Sequence, residues 1–166
     1  MRKTNAMRIL DNAGIAHTSR EYEADGGDRL GVRAAAALGM PCGRVFKTLV
    51  LKGAKEGYFV CCIPVDRELD LKKAALAAGA KKAEMLPVRD LQKITGYVRG
   101  GCSPVGMKKK FPVFVDRSAQ SFTEIAVNAG APGLQVLLAP EGLRAAASAS
   151  FADLTERDEN AAGREF

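Results

Sequence analysis

The densest run of chemically useful residues is Gly100-Gly101-Cys102-Ser103-Pro104-Val105-Gly106-Met107-Lys108-Lys109-Lys110. Paired glycines allow close backbone approach to a ligand and permit positive φ. Successive N–H groups in such a bend can face an anion or a developing oxyanion. Pro104 stiffens the turn, and Lys108, Lys109 and Lys110 add a positive rim suited to RNA phosphate. The competing reading is a surface turn followed by a solvated charge run. A second candidate is Arg44-Val45-Phe46-Lys47-Thr48-Leu49-Val50, where a lysine and a threonine enter an apolar strand. An ammonium at a strand end can present itself to a pocket and bind a phosphate or a carbonyl oxygen. Snorkelling into solvent is the commoner fate of such a lysine.

Nucleophiles with a base are missing. Cys102 and Ser103 lie in the glycine-rich bend, but His17 is the single histidine and sits in the strand-like stretch Ala16-His17-Thr18. A Ser-His-Asp or Cys-His enzyme is therefore a poor fit, and Cys102 reads as a small apolar residue. Asp66, Glu68 and Asp70 resemble a loop and a helix cap rather than a catalytic carboxylate pair. Cys42, Cys61, Cys62 and Cys102 show no CxxC spacing, and adjacent strand residues point to opposite faces, so Cys61 and Cys62 are badly placed to share an ion. The expectation is a reduced protein that needs no metal and no cofactor. A hydrolase so equipped requires a labile bond. Aminoacyl esters qualify, because orientation and oxyanion stabilisation then supply much of the rate.

The elements that must position these residues alternate along 166 residues, 47% hydrophobic and 27% charged, with a net charge of +6 that favours polyanionic partners. No apolar run approaches the roughly 20 residues of a membrane helix, and the N-terminus is not a secretory signal, so the cytoplasm is the expected location. Met7 to Ala13 reads as a helix capped by Asn5, and Ile15 to Tyr22 as a strand leading to an acidic loop over 23–28. Ala34 to Leu38 forms a second helix. Thr48–Leu51 and Tyr58–Val65 form a hairpin. Asp70 caps a helix over Leu71–Leu76, and Pro87 opens another over Val88–Ile94. Strands follow at Pro112–Val115, Ile125–Asn128 and Leu134–Leu138, then a helix after Pro140 and a charged tail from Asp153. Interspersed strands and helices, without a GxGxxG turn, imply one mixed α/β domain over 1–154 and a tail over 155–166.

Four stretches together resemble the YbaK/EbsC family of bacterial Cys-tRNA(Pro) deacylases. They are Val45–Leu49, Leu69–Ala74, Thr95–Gly101 and Ser103–Lys109, in the family's order and spacing. The resemblance runs from about Met7 to Leu154. It implies a mixed, mostly antiparallel barrel-like sheet surrounded by helices, and hydrolysis of cysteine wrongly attached to proline tRNA, in some members within a complex with prolyl-tRNA synthetase. It assigns Lys47 to the terminal adenosine phosphate or the ester, Tyr22 and Thr48 to the pocket, and Gly100, Gly101 and Ser103 to the scissile carbonyl. In the family's mechanism the substrate's own thiol attacks its ester to give a thiolactone, so Cys102 is not required. Two positions depart from the pattern: Asn128 stands where relatives often carry serine, and Gln135 where they often carry an acid. Both belong to the expected amino-acid pocket, so alanine or another small residue is an alternative target, and a non-catalytic tRNA- or synthetase-binding module is the alternative class.

Overall fold

The computed structural model describes residues 3–24, 30–55 and 57–157. Its elements in chain order are α1 (Asn5–Asn12), β1 (His17–Glu21), α2 (Leu30–Leu38), β2 (Val45–Gly53), β3 (Gly57–Pro64), α3 (Leu71–Ala78), β4 (Ala83–Met85), α4 (Val88–Thr95), β5 (Val113–Asp116), β6 (Ile125–Asn128), β7 (Leu134–Leu138), α5 (Pro140–Ala147) and β8 (Ser150–Ala152). The strands form one mixed sheet in the order β1-β7-β6-β2-β3-β5-β8, with β4 added to β2. The β1–β7, β7–β6, β2–β3 and β2–β4 pairs are antiparallel, whereas β2–β6, β3–β5 and β5–β8 are parallel. No described helix is long and apolar enough to cross a membrane.

Local chemistry explains most boundaries. Asp70 accepts from the N–H groups of Lys72 and Lys73 at 3.0 and 3.1 Å, and Gly79 ends α3 in the left-handed region, a cap worth about 1 kcal/mol. Pro140 opens α5, where its missing N–H costs nothing. The cap of α1 is Thr4 rather than the expected Asn5. Thr4 has the extended backbone of a cap and accepts from Met7 N–H at 3.2 Å, while its hydroxyl donates to the carbonyl of Ala129 at 2.5 Å. Asn5 lies inside the helix, and its amide donates to the Gly106 carbonyl at 3.3 Å. The first helix is thus tied to both turns that flank the site described below.

β2 starts three residues before the apolar run suggests, because Val45 and Phe46 pair with Ala126 and Val127 of β6. The expected acidic loop falls largely on 25–29, outside the described residues, and the second helix begins at Leu30. Residues 153–157, read from the sequence as a solvated tail, are held to the body. Asp70 N–H donates to the Leu154 carbonyl at 2.8 Å, Glu156 N–H to the Glu68 carbonyl at 2.9 Å, and Leu154 N–H to the buried Asp116 carboxylate at 3.0 Å. The remaining tail, 158–166, lies outside the described residues.

Candidate active site

Side chains alternate across a strand, so register decides which residues share a face. Val45, Ala126 and Leu137 pack with Ala35 and Val65 in a small core beneath α2. One pleat further along the same face come Lys47 on β2, Asn128 on β6 and its directly paired neighbour Gln135 on β7. Gln135 also pairs with Arg20 of β1, and Tyr22 is two residues beyond Arg20. Four adjacent strands therefore deliver Lys47, Asn128, Gln135 and Tyr22 as one row. α2 comes close over this face at Gly31, where a Cβ would fall 2.5 Å from Val65 Cγ1. The row opens into a cavity of about 460 Å³, a size ordinary for small-molecule sites. Lys47, Thr48, Tyr22, Gly100, Asn128 and Gln135 all line it, while the exposed Met85 and Val88 form part of its rim.

The polar groups differ in what they have left to offer. Lys47 is part-buried and has no ion pair or hydrogen bond among the described residues. The Gln135 side chain is 4% exposed; its Nε2 donates to Tyr22 Oη at 3.4 Å and its Oε1 has no partner, an unsatisfied acceptor at the cavity wall. Asn128 is saturated. Its Nδ2 donates to the carbonyls of Gly100 and Ala131 at 3.0 and 3.1 Å, and its Oδ1 accepts from Gly130 and Ala131 N–H at 2.6 and 3.2 Å. An amide has no further hydrogen bonds to give, so Asn128 is a bracket that fixes the Gly100 bend against the 130–131 turn.

Two of that bend's polar groups, at Gly101 and Ser103, are already engaged within the protein. Gly101 N–H donates to the Val98 carbonyl at 2.9 Å, and Ser103, 1% exposed, accepts from Val105 N–H at 3.1 Å. Neither lines the cavity; both build its wall from behind. Tyr97 adds a strut, its hydroxyl donating to the Val105 carbonyl at 2.6 Å, and burial pushes its pKa up to about 12. Gly100 and Cys102 are the members of the bend that reach the cavity. Burial raises the Cys102 thiol to about 12, against a smaller opposing hydrogen bond with Thr95. A thiol so held is protonated at neutral pH and a poor nucleophile. Of the three lysines, Lys108 donates to the Lys93 carbonyl near the end of α4 at 3.5 Å, which suits a cation at a helix C-terminus. Lys109 and Lys110 border a separate, smaller depression.

Residues 31–146 match the model of the aminoacyl-tRNA editing domain. The chain belongs to that family. Over 158 residues, 94% of this editing domain chain and 95% of the relative, it is 47% identical to the EbsC protein of Enterococcus faecalis, named for deacylation of Cys-tRNA(Pro) and Cys-tRNA(Cys). A proline–tRNA ligase of Fervidobacterium nodosum is 35% identical over 71 residues, 43% of this chain and 12% of the ligase. Among solved structures, one named as a trans-editing enzyme for prolyl-tRNA synthetase superposes with a TM-score of 0.77 at 26% identity, covering 92% of this chain and 93% of its own.

Within the editing domain, Arg99 and the first turn of α2 are not among the site residues expected from the sequence. Both line the cavity. Arg99 carried a readable signal, a cation directly before the paired glycines, whereas the approach of α2 is a tertiary contact with no local signature. Cys102 provides a direct check on the site's chemistry. Cys102→Ala is expected to hydrolyse aminoacyl ester within about twofold of the wild-type rate, since a thiol with a pKa near 12 supplies little thiolate at neutral pH. Rapid-quench assays should show no acyl-enzyme burst in either protein.

Proposed function

We propose that this chain deacylates mis-acylated tRNA in trans, with Cys-tRNA(Pro) as its substrate in the cytoplasm. The observation that carries this reading is the convergence of an unpaired Lys47 ammonium and the Gly100–Cys102 bend on one cavity that offers no activated protein nucleophile. Such a site suits a substrate that brings its own. The cysteinyl thiol attacks its ester carbonyl, a carbon–sulfur bond forms, and the carbon–oxygen bond to the terminal ribose breaks. The thiol proton passes to the departing ribose hydroxyl, and the acyl group leaves as a thiolactone.

In this reading Lys47 meets the terminal phosphate or the ester oxygen, and Tyr22 and Gln135 shape the amino-acid end. The neutral Gln135 Oε1 is the buried acceptor available to the aminoacyl group. Thr48 lines the cavity through the strand next to Lys47, its hydroxyl turned to the opposite face 3.9 Å from Cys62 Sγ. Lys109 and Lys110, with Arg99 at the rim, meet tRNA phosphate outside the cavity, and prolyl-tRNA synthetase is the natural source of the mis-acylated tRNA. Hydrolysis of cysteinyl, alanyl and seryl esters on one proline tRNA tests this directly. Cysteine is expected to leave at least tenfold faster than alanine, which lacks a nucleophile altogether. Equal rates for cysteine and alanine would exclude the substrate-thiol route. Decay of all three at the uncatalysed rate would remove deacylation.

A further inference from the structure

β2 is paired along its whole length by β3, but on its other side only at its ends. β6 covers Val45 and Phe46, and β4 takes over at Leu51, preceded by a bond from Leu86 N–H to the Val50 carbonyl at 3.0 Å. In an antiparallel pair, alternate residues turn both backbone groups toward the partner and away from it. Val65 N–H donates to the Val45 carbonyl at 2.9 Å, so the odd-numbered residues of β2 face β3. Val60 N–H, donating to Pro112 at 2.9 Å on the β5 side, gives the same phase from the partner strand. The N–H and C=O of Thr48 and the N–H of Val50 therefore point into the gap, where no described group bonds them. Both residues line the cavity, and Val50 is 3% exposed. A buried backbone donor without a partner is rare in folded proteins.

We propose that this gap in the sheet is the aminoacyl subsite, with the Thr48 carbonyl accepting from the substrate α-ammonium and the Val50 N–H donating to the scissile carbonyl. The proposal rests on the deacylase reading above. An aminoacyl ester carries a donor and a carbonyl acceptor on either side of one Cα, the arrangement with which a strand residue docks on a sheet edge. Thr48 C=O and Val50 N–H lie along the edge in the order that such a residue meets. As the thiol sulfur bonds to the carbonyl carbon, the oxygen gains charge, and a fixed, water-poor N–H binds it more tightly than in the ground state. The edge thus supplies the oxyanion donor that Gly101, bonded to Val98, does not.

Two measurements on the whole protein test this. In the first, amide hydrogen exchange and ¹⁵N–¹H shifts are followed with and without a non-hydrolysable cysteinyl-adenosine in which an amide replaces the ester. The Thr48 and Val50 amides are expected to exchange faster than those of Leu49 and Leu51 in the free protein. The ligand should slow Val50 at least tenfold and shift its resonance downfield. A Val50 amide unmoved while Tyr22 and Lys47 resonances report saturation would overturn the proposal. In the second, Val50 is replaced by its α-hydroxy acid, which deletes that N–H and weakens the Leu49 carbonyl as an acceptor toward β3. The expected result is a kcat lower by about a hundredfold, with KM changed less than threefold. The same replacement at Leu51, whose N–H serves the β3 ladder, should lower the melting temperature and keep kcat. Wild-type kcat in the Val50 variant would sink the proposal. Were the wild-type protein to cleave no aminoacyl-tRNA at all, the deacylase reading would fail by itself, while protection of Val50 by the analogue would still decide the edge.

Discussion

Lys47→Ala is expected to slow single-turnover hydrolysis of Cys-tRNA(Pro) by about a hundredfold or more, the usual consequence of losing one well-placed charge-stabilising group, without loosening the fold. Lys47 has no partner among the described residues to give up. It is part-buried in the third position of β2, and no described carboxylate or carbonyl receives its ammonium. Removing it breaks no hydrogen bond. Asp66 and Glu68 line the same cavity, but neither lies within ion-pair distance of it. The melting temperature should hold or rise by about 2 °C, consistent with a shift of under 1 kcal/mol in a chain of this size. Loss of activity with retained stability is the mark of a group positioned for substrate. Lys47→Met keeps the stem and removes the charge, so it should be as inactive as the alanine variant. Lys47→Arg has the charge but a wider planar head, and should recover only part of the rate. A Lys47→Ala protein with wild-type turnover, or one that melts well below wild type, would displace Lys47 from the proposed centre.

How far the site can be read from sequence depends on whether each signal is local. The caps of α3 and the proline that opens α5 are decided by neighbours within one turn, and they appear where residue chemistry places them. β4 and β8 are three residues each and exist only because β2 and β5 present an edge to pair with, so nothing in their own composition announces them. Lys47 was legible as a charge interrupting an apolar strand. Gly101 and Ser103 were legible as unusual residues, but not in their orientation. Whether an amide faces a ligand depends on where the loop's other hydrogen bonds go, and Val98 and Val105 had already taken these. Asn128 shows the same limit. Its polarity in an apolar run marks it as special, yet its four bonds hold two turns together rather than a ligand. The unpaired stretch of β2 has no side-chain signature, since any residues at 48 and 50 would present the same backbone.

The second large effect belongs to Gly101. Gly101→Ala is expected to cost about 2 kcal/mol of stability, within the usual range for overpacking, and to reduce hydrolysis by about a hundredfold through displacement. A Cβ there would lie 2.6 Å from Pro132 Cδ, 2.8 Å from Pro132 N and 3.0 Å from the Ala131 carbonyl carbon. Two of those atoms are backbone, and the Asn128 bracket holds Ala131 on both its N–H and its C=O. The turn cannot retreat without breaking buried hydrogen bonds, so the bend must, carrying Gly100 and Cys102 out of the cavity wall that faces Lys47. The neighbouring glycine should behave differently. Gly100 has φ of +79°, and its added Cβ would meet only the tip of Leu30 at 3.1 Å, a side chain able to turn aside. Gly100→Ala therefore carries mainly the left-handed backbone penalty, about 1 kcal/mol, and a milder loss of rate. Adding Pro132→Ala to Gly101→Ala removes the nearest of the three clashing atoms and should restore part of both stability and turnover. Recovery of neither, with Gly100→Ala the more damaged of the two single variants, would mean that the bend acts through its own conformation rather than through its seat on the 131–132 turn.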